Sequence, residues 1–271
     1  MAIAYADEWA GEGGVIFKYF TIMTYEDERN EFVDIEPYLI PETRILLSEI
    51  ELRTPDKVKL RKVYDDTIKT WHIRTLANYH IDMPANDEGN IISFTHELLH
   101  IYFDYVLGMM VNHFTLPFMI GQYNSFFENP TYLTDHYISL INNLQHHKMI
   151  PYFKSFNLPE NKIIGNYENP TELYEIFEKD LELKIDLSQP VVRYSSALSY
   201  VNFLALELYF PNPAIREKLR NSYSNEFDKK LIGLRSVFQP LLEKWDTEYT
   251  DLNKLIHEID NISKEYAERV L

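Results

Sequence analysis

The chain has 271 residues, which is long enough for one large domain or two closely packed parts with a sizeable core. Its formal net charge of −16 repels nucleic-acid phosphates and anionic membrane surfaces, so we expect neither as a partner. Because the chain contains no cysteine, a disulfide framework and thiolate metal ligands are excluded.

The first part of the chain predicts a mixture of strands and helices. Residues 14–24 are rich in β-branched and aromatic side chains, which predicts a strand. Residues 44–53 are ambiguous between helix and strand, and residues 58–75 predict a helix that passes into a second apolar run. Residues 78–84 alternate between apolar and polar side chains and stop at a proline, which is typical of an edge strand.

From residue 86 onward the patterns are mostly helical. A central helix is predicted over residues 87–107, capped by Asn86-Asp87-Glu88 and ended by Gly108. Residues 105–127 lack charged side chains, but their polar residues would be costly in hydrocarbon, so we interpret them as an internal connection. Capping residues and prolines predict further helices at 134–149 (ended by Pro151), from Asn169-Pro170, at 190–210, from Asn212-Pro213, and from near Asn225 and Thr250.

These elements predict an α+β fold in a single domain, residues 1–271. Residues 1–85 would form a small mixed part with an antiparallel or mixed sheet, and residues 86–271 the central helix and a mostly helical half. Asp7 and Glu8 stand where a secretion signal would carry positive charge and an apolar run. We therefore expect a cytoplasmic protein.

The chemistry of the chain is concentrated in the string His96-Glu97-Leu98-Leu99-His100 of the central helix. Each helical residue turns by about 100°, so His96 and His100 lie about 40° apart on successive turns. Their imidazoles can bind one zinc ion from the same side, with Glu97 close to a metal-bound water. Apolar residues flank the string almost all round, which is typical of a buried helix whose polar groups need partners such as a metal.

This string resembles the His-Glu-x-x-His motif of the zincin metallopeptidases. The resemblance implies that His96 and His100 hold Zn²⁺ and that Glu97 activates a zinc-bound water to attack a carbonyl. In zincins an edge strand before the motif helix commonly binds the substrate peptide as an added strand. Residues 78–83 are a candidate for that role, with an ordinary edge strand as the alternative.

The resemblance does not extend beyond the motif and its immediate flanks. Phe103 and Val106 stand where metzincins have a glycine and a third histidine, so that subgroup is excluded. The Asn-Glu-x-x-Ser-Asp string of thermolysin-like gluzincins is also absent, although a gluzincin-like site remains the closest description.

The third zinc ligand must therefore come from elsewhere, and His146 is the preferred candidate. In the helix predicted over 134–149, His146 belongs to a polar stripe that would face the metal while the opposite side packs on the core. His147, which borders the buried side, and Glu128, a carboxylate, remain alternatives. The apolar side of this helix is formed by Tyr137, Ile138, Leu140, Ile141 and Leu144.

Several other residues are candidates for supporting roles. Asp104 lies one turn after His100 and would either accept a hydrogen bond from that ligand or pair with a distant arginine. His80 and His113 are assigned structural roles. Candidate donors to a developing oxyanion lie on the 190–210 helix: Arg193, Tyr194 and Tyr200.

The resulting expectation is a zinc-dependent hydrolase, specifically a cytoplasmic metallopeptidase that acts on a peptide or protein substrate. One alternative keeps the metal but not the proteolysis, as a zincin-like regulatory or sensor protein. A second is a helical interaction module in which the motif is accidental. A third is a zinc hydrolase that acts on a non-peptide amide or ester.

Overall fold

The protein combines a four-stranded mixed sheet with eight α-helices in the part of the chain that the computed structural model describes. The α+β fold and the mostly helical C-terminal half are therefore confirmed. The predicted strand 14–24, the predicted helix from Asn169-Pro170, most of the 105–127 connection, His113 and Glu128 lie outside the described residues. Those described are residues 29–65, 68, 70–74, 77–87, 90–109, 130–163, 187–210, 212–221, 225–247 and 251–268.

The elements follow one another with the strands first and most helices after them. The strands are β1 Glu31–Val33, β2 Lys59–Val63, β3 His72–Arg74 and β4 Ala77–Pro84. The helices are α1 Pro41–Glu51, α2 Ile91–Tyr105, α3 Pro130–Ser155, α4 Pro190–Tyr209, α5 Pro213–Leu219, α6 Asn225–Lys230, α7 Leu234–Thr247 and α8 Leu252–Glu268.

The sheet has the order β1-β2-β4-β3, with β4 in its interior. β2 pairs with β4 in parallel, and β3 pairs with the other side of β4 in antiparallel orientation. The prediction of an edge strand at residues 78–84 is therefore wrong, and this strand is not open to an added peptide as predicted. The helix predicted over residues 58–75 is also wrong, because this segment supplies β2 and β3. The partners of β2, which are β1 and β4, are distant in sequence, so local periodicity does not reveal this strand.

A buried ion pair joins the two central strands. Arg61 and Asp82 stand directly opposite each other in the register of β2 and β4. The Arg61 guanidinium donates two hydrogen bonds to the Asp82 carboxylate, at 2.9 and 2.6 Å. Both side chains are buried, so neither charge can be left without a partner at low cost.

Helix α2 packs between the sheet, α1 and α3. The side chains of Leu46 and Ile50 from α1, of Ile81 from β4, and of Leu98 and Leu99 from α2 belong to one buried core. Apolar residues on almost all sides of α2 are buried, as the sequence predicted. The core therefore fixes both the position and the rotation of the helix that carries the motif.

The ends of α2 are set by local capping. The Asn90 side chain accepts a hydrogen bond from the Ser93 amide at 2.7 Å, so Asn90 is the N-cap and not Asn86-Asp87-Glu88 as predicted. At the other end Gly108 has a φ of 69°. This left-handed conformation, which favours glycine, allows the Met109 amide to donate back to the Phe103 carbonyl at 2.9 Å.

The C-terminal half is built around α4, which contacts α3, α5, α7 and α8. Its predicted range is confirmed, as is the cap of α5, where the Asn212 side chain accepts from the amides of Ala214 and Ile215. Helix α3 continues through Pro151 to Ser155, so the predicted end at that proline is wrong. The helices predicted from near Asn225 and Thr250 correspond to α6 and α8. The structure has a further helix, α7, between them.

No helix of the described part combines the length and apolar character needed to cross a bilayer.

We predict that Asp82→Ala lowers the free energy of unfolding by about 3–5 kcal/mol, because it leaves the Arg61 guanidinium buried without its carboxylate. Urea unfolding followed by circular dichroism measures this loss. The matched control is Arg44→Ala, which breaks an exposed ion pair with Glu36 and should leave the unfolding midpoint almost unchanged. Equal effects of the two substitutions would contradict the assignment of the buried pair as a stabilising contact of the sheet.

Candidate metal centre

Three histidine side chains converge between α2 and α3. His96 and His100 project from successive turns of α2, and His146 projects toward them from α3. The Nε2 atom of His100 lies 3.1 Å from that of His96 and 3.2 Å from that of His146. The Nε2 atoms of His96 and His146 are 3.2 Å apart. The structure thus brings together the three residues that the sequence selected as metal ligands.

The spacing of these nitrogen atoms fits a shared metal ion. In a tetrahedral zinc site with Zn–N bonds of about 2.0–2.1 Å, neighbouring ligand atoms are about 3.3–3.4 Å apart. The three observed separations of 3.1, 3.2 and 3.2 Å are close to that value and nearly equal to one another. One cation can therefore contact all three nitrogen atoms at once.

Of the two alternative third ligands, His147 is not part of this cluster. The ring of His147 stacks on the ring of Tyr209, with 3.7 Å between centroids and 21° between planes, and so takes part in the packing of α3 on α4. Glu128 lies outside the described residues. The apolar side of α3 differs from the prediction at one residue. Ile138 was expected on the buried side, but it is 47% exposed.

All three histidines are held in the neutral form that binds metals. Burial lowers the pKa of His96 to about 3, with a smaller lowering by His100, while a hydrogen bond that the ring donates to the Ile163 backbone raises it. Burial also lowers the pKa of His100 to about 4 and that of His146 well below its usual range. Because a metal ligand must be an unprotonated nitrogen, no proton has to be removed near neutral pH before binding.

Glu97 lies beside the three histidines without belonging to their cluster. Its Oε1 atom is 4.0 Å from Nε2 of His96, and its side chain is almost completely buried. Burial raises the pKa of Glu97 to about 8. A divalent cation at the histidines would favour the carboxylate form, because the ion is the largest charge in such a site. The Glu97 carboxyl group therefore lies next to the position that the three histidine nitrogens surround.

An outer layer of hydrogen bonds supports His100. The Oε1 atom of Gln145 lies 2.8 Å from Nδ1 of His100, and the Gln145 amide nitrogen donates to the Asp104 carboxylate at 3.0 Å. Gln145 therefore stands between His100 and Asp104, so the direct bond to His100, one of the two roles considered for Asp104, is not formed. Burial raises the pKa of Asp104 to about 6, while the bond from Gln145 lowers it.

Sequence reasoning missed Gln145, although a signal was present. Gln145 directly precedes His146 and follows Leu144 on the buried side of α3, and only 4% of its surface is exposed. A buried amide next to a proposed ligand must make hydrogen bonds, which is a reason to suspect a role in supporting the site.

The predicted oxyanion donors are engaged elsewhere. The Tyr194 hydroxyl donates to Asp260 at 2.6 Å and lies 2.6 Å from the Tyr137 hydroxyl, in a fully buried network. Arg193 donates to backbone carbonyls, including that of Ala267, and the Tyr200 hydroxyl donates to Asp228. The predicted oxyanion role of these residues is therefore wrong, because their polar groups stabilise contacts between helices.

The remaining histidine of the prediction, His80, is also outside the cluster. It is buried on β4 with its ring edge-on to the rings of Phe32 and Tyr79. Its pKa is lowered, first by burial and then by the positive charges of Lys59 and Arg74. A neutral ring packed among aromatic side chains agrees with the structural role assigned to it.

Models of known protein families, curated proteins and solved structures give no match to this chain. The chemistry of the centre is therefore inferred from its own residues.

We predict that Tyr194→Phe acts on stability and not on the metal centre. The substitution removes a donor to the buried Asp260 carboxylate and should lower the free energy of unfolding by about 1–3 kcal/mol. Chemical denaturation measures this loss, and zinc titration should give the affinity of the unaltered protein. Unchanged stability together with impaired hydrolysis would instead restore Tyr194 as a catalytic group.

Proposed function

We propose that this protein is a zinc-dependent hydrolase of the metallopeptidase type, with a peptide or protein as its substrate. The observation that supports this proposal best is the convergence of three Nε2 atoms within 3.2 Å of one another, with the Glu97 carboxyl group beside them. Three protein ligands leave one position of a tetrahedral zinc ion open, as catalytic sites require, whereas structural sites use four.

The donor set favours zinc. Three imidazole nitrogens form a borderline-soft set that suits zinc, and the chain has no thiolate to favour softer metals. Among the described residues, these three side chains form a group whose ligand atoms all lie within 4.8 Å of one another. A zinc ion held there would act as a Lewis acid and bring the pKa of water close to neutral.

The roles of the protein groups follow from their positions. His96 and His100 hold the ion from α2, and His146 holds it from α3, so the site depends on the packing of two helices. Glu97 would accept the proton of the attacking water and return it to the leaving amine. Its carboxyl group lies 4.0 Å from Nε2 of His96, which is near enough for that role and too far for a direct hydrogen bond.

The choice of a peptide substrate depends on the resemblance of residues 96–100 to the zincin motif. A zincin-like regulatory protein would have the same metal centre but would not turn over a substrate. Metal binding and hydrolysis are therefore tested separately.

We predict that the protein purified without added metal binds one zinc ion per chain and that His146→Ala reduces this affinity by at least 100-fold, because it removes one of three ligands. Competition with a chromophoric chelator measures the affinity. His147→Ala is the matched control, since that ring stacks on Tyr209 outside the cluster, and it should bind zinc normally. Equal losses in the two variants, or no zinc in the original protein, would contradict the assigned ligand set.

We predict that Glu97→Gln retains zinc but loses at least 1,000-fold in the rate of peptide hydrolysis, because the amide keeps the shape of the side chain and cannot accept the proton. A quenched-fluorescence peptide library supplies the assay, and zinc content is measured on the same samples. Near-normal hydrolysis by this variant would refute the mechanism. Absence of hydrolysis in the zinc-loaded original protein, against peptide and protein substrates, would favour the regulatory alternative.

A further inference from the structure

We infer that Asp104 and Gln145 form a two-residue relay that fixes the tautomer of His100 and so points its Nε2 lone pair at the metal position. This inference rests on the proposed metal centre and deepens it. It assigns positioning roles to two side chains that do not themselves contact the ion.

The relay begins with the Asp104 carboxylate. An ionised carboxylate only accepts hydrogen bonds, so the group of Gln145 that faces it at 3.0 Å must be the NH₂ end of the amide. An amide can present either end to a neighbour after rotation by 180°, and the two ends have similar shapes. Asp104 therefore selects one of two orientations that packing alone does not distinguish.

The orientation of Gln145 in turn sets the proton on His100. With its NH₂ group on Asp104, the amide presents Oε1 to Nδ1 of His100 at 2.8 Å. Because this oxygen is an acceptor, Nδ1 must carry the hydrogen, and the other ring nitrogen of the neutral imidazole then has a free lone pair. That nitrogen, Nε2, is the atom that faces His96 and His146 at 3.1 and 3.2 Å.

The position of the relay in the fold makes it difficult to replace by solvent. Asp104 lies on α2 one turn after His100, and Gln145 lies on α3 directly before His146. Each helix thus supplies both a metal ligand and a member of the relay. Gln145 is almost completely buried, so no bulk water competes for its two hydrogen bonds. Loss of such outer partners typically lowers metal affinity by 10–100-fold.

The tautomer is tested first, in the metal-free protein. Long-range ¹H–¹⁵N NMR correlations distinguish protonated from unprotonated ring nitrogens, and we expect His100 to carry its hydrogen on Nδ1. In Asp104→Leu, which has no acceptor, the signal should shift toward the Nε2–H form or a mixture. Asp104→Asn is the matched control, because it also removes the charge but keeps an oxygen acceptor, and it should retain the original tautomer.

Zinc affinity is the second readout. We expect Asp104→Leu and Gln145→Met to weaken zinc binding by about 10–100-fold, and Asp104→Asn to weaken it by less than about threefold. Gln145→Glu alone should bind zinc poorly, because it places two carboxyl groups side by side. The double variant Asp104→Asn with Gln145→Glu exchanges the positions of the carboxylate and the amide, and it should restore zinc binding. Circular dichroism on each variant separates this effect from a loss of folding.

The outcomes separate this inference from the proposed function. An Nε2–H tautomer in the original metal-free protein, or a tautomer and zinc affinity that Asp104→Leu leaves unchanged, would overturn the relay even if the protein is an active hydrolase. Absence of rescue by the exchanged pair in a folded protein would also overturn it. Failure of the original protein to bind zinc would refute the proposed function, whereas the NMR result would still decide whether the relay exists.

Discussion

The site depends on three uncharged imidazoles that are forced together in a place from which water is largely excluded. Burial lowers the pKa of each ring, so none of them carries the positive charge that would repel a cation. Nε2 of His100 has a lone pair, because its Nδ1 donates to Gln145, and this lone pair faces two other nitrogens at 3.1–3.2 Å. A cation between the rings would contact all three Nε2 atoms at once.

The rest of the fold holds α2 and α3 in the arrangement that brings the three histidines together. The sheet and α1 pack on α2, and α4 packs on α3, so that each ligand-bearing helix has a buried face on a separate support. The buried pair of Arg61 and Asp82 joins the central strands, and the Tyr137–Tyr194–Asp260 network joins α3, α4 and α8. These polar contacts join neighbouring strands and helices, and Tyr194, first considered as an oxyanion donor, belongs to one of them.

Much of the centre could be predicted from sequence because it depends on helical periodicity. His96, Glu97 and His100 fall within one turn, and the position of His146 on a polar stripe of its helix follows from the same periodicity. The relay could not be obtained this way. Whether Asp104 bonds to His100 directly or through Gln145 depends on the distance and rotation between two helices, and the residues in contact are 41 and 45 positions apart in the chain. The roles of Tyr194 and Tyr200 were missed for the same reason.

The sheet shows the corresponding limit for strands. β4 reads as an edge strand because its sequence alternates and ends in proline, yet β2 and β3 pair with its two sides. From sequence alone, Arg61 is typical of a surface residue. In the structure it lies opposite Asp82 in the register of the parallel strands β2 and β4. Pairing of this kind depends on partners distant in sequence, whereas the cap at Asn212 and Pro213 depends on neighbouring residues and was predicted correctly.

The most direct test of the metal centre is X-ray absorption at the zinc edge of the protein loaded with one equivalent of zinc. We predict a first shell that contains three imidazole nitrogens at about 2.0–2.1 Å, with the scattering pattern of histidine rings, and one oxygen ligand that lacks this pattern. A shell made of oxygen atoms, or one with fewer than three imidazoles, would contradict the convergence of His96, His100 and His146 on a single ion.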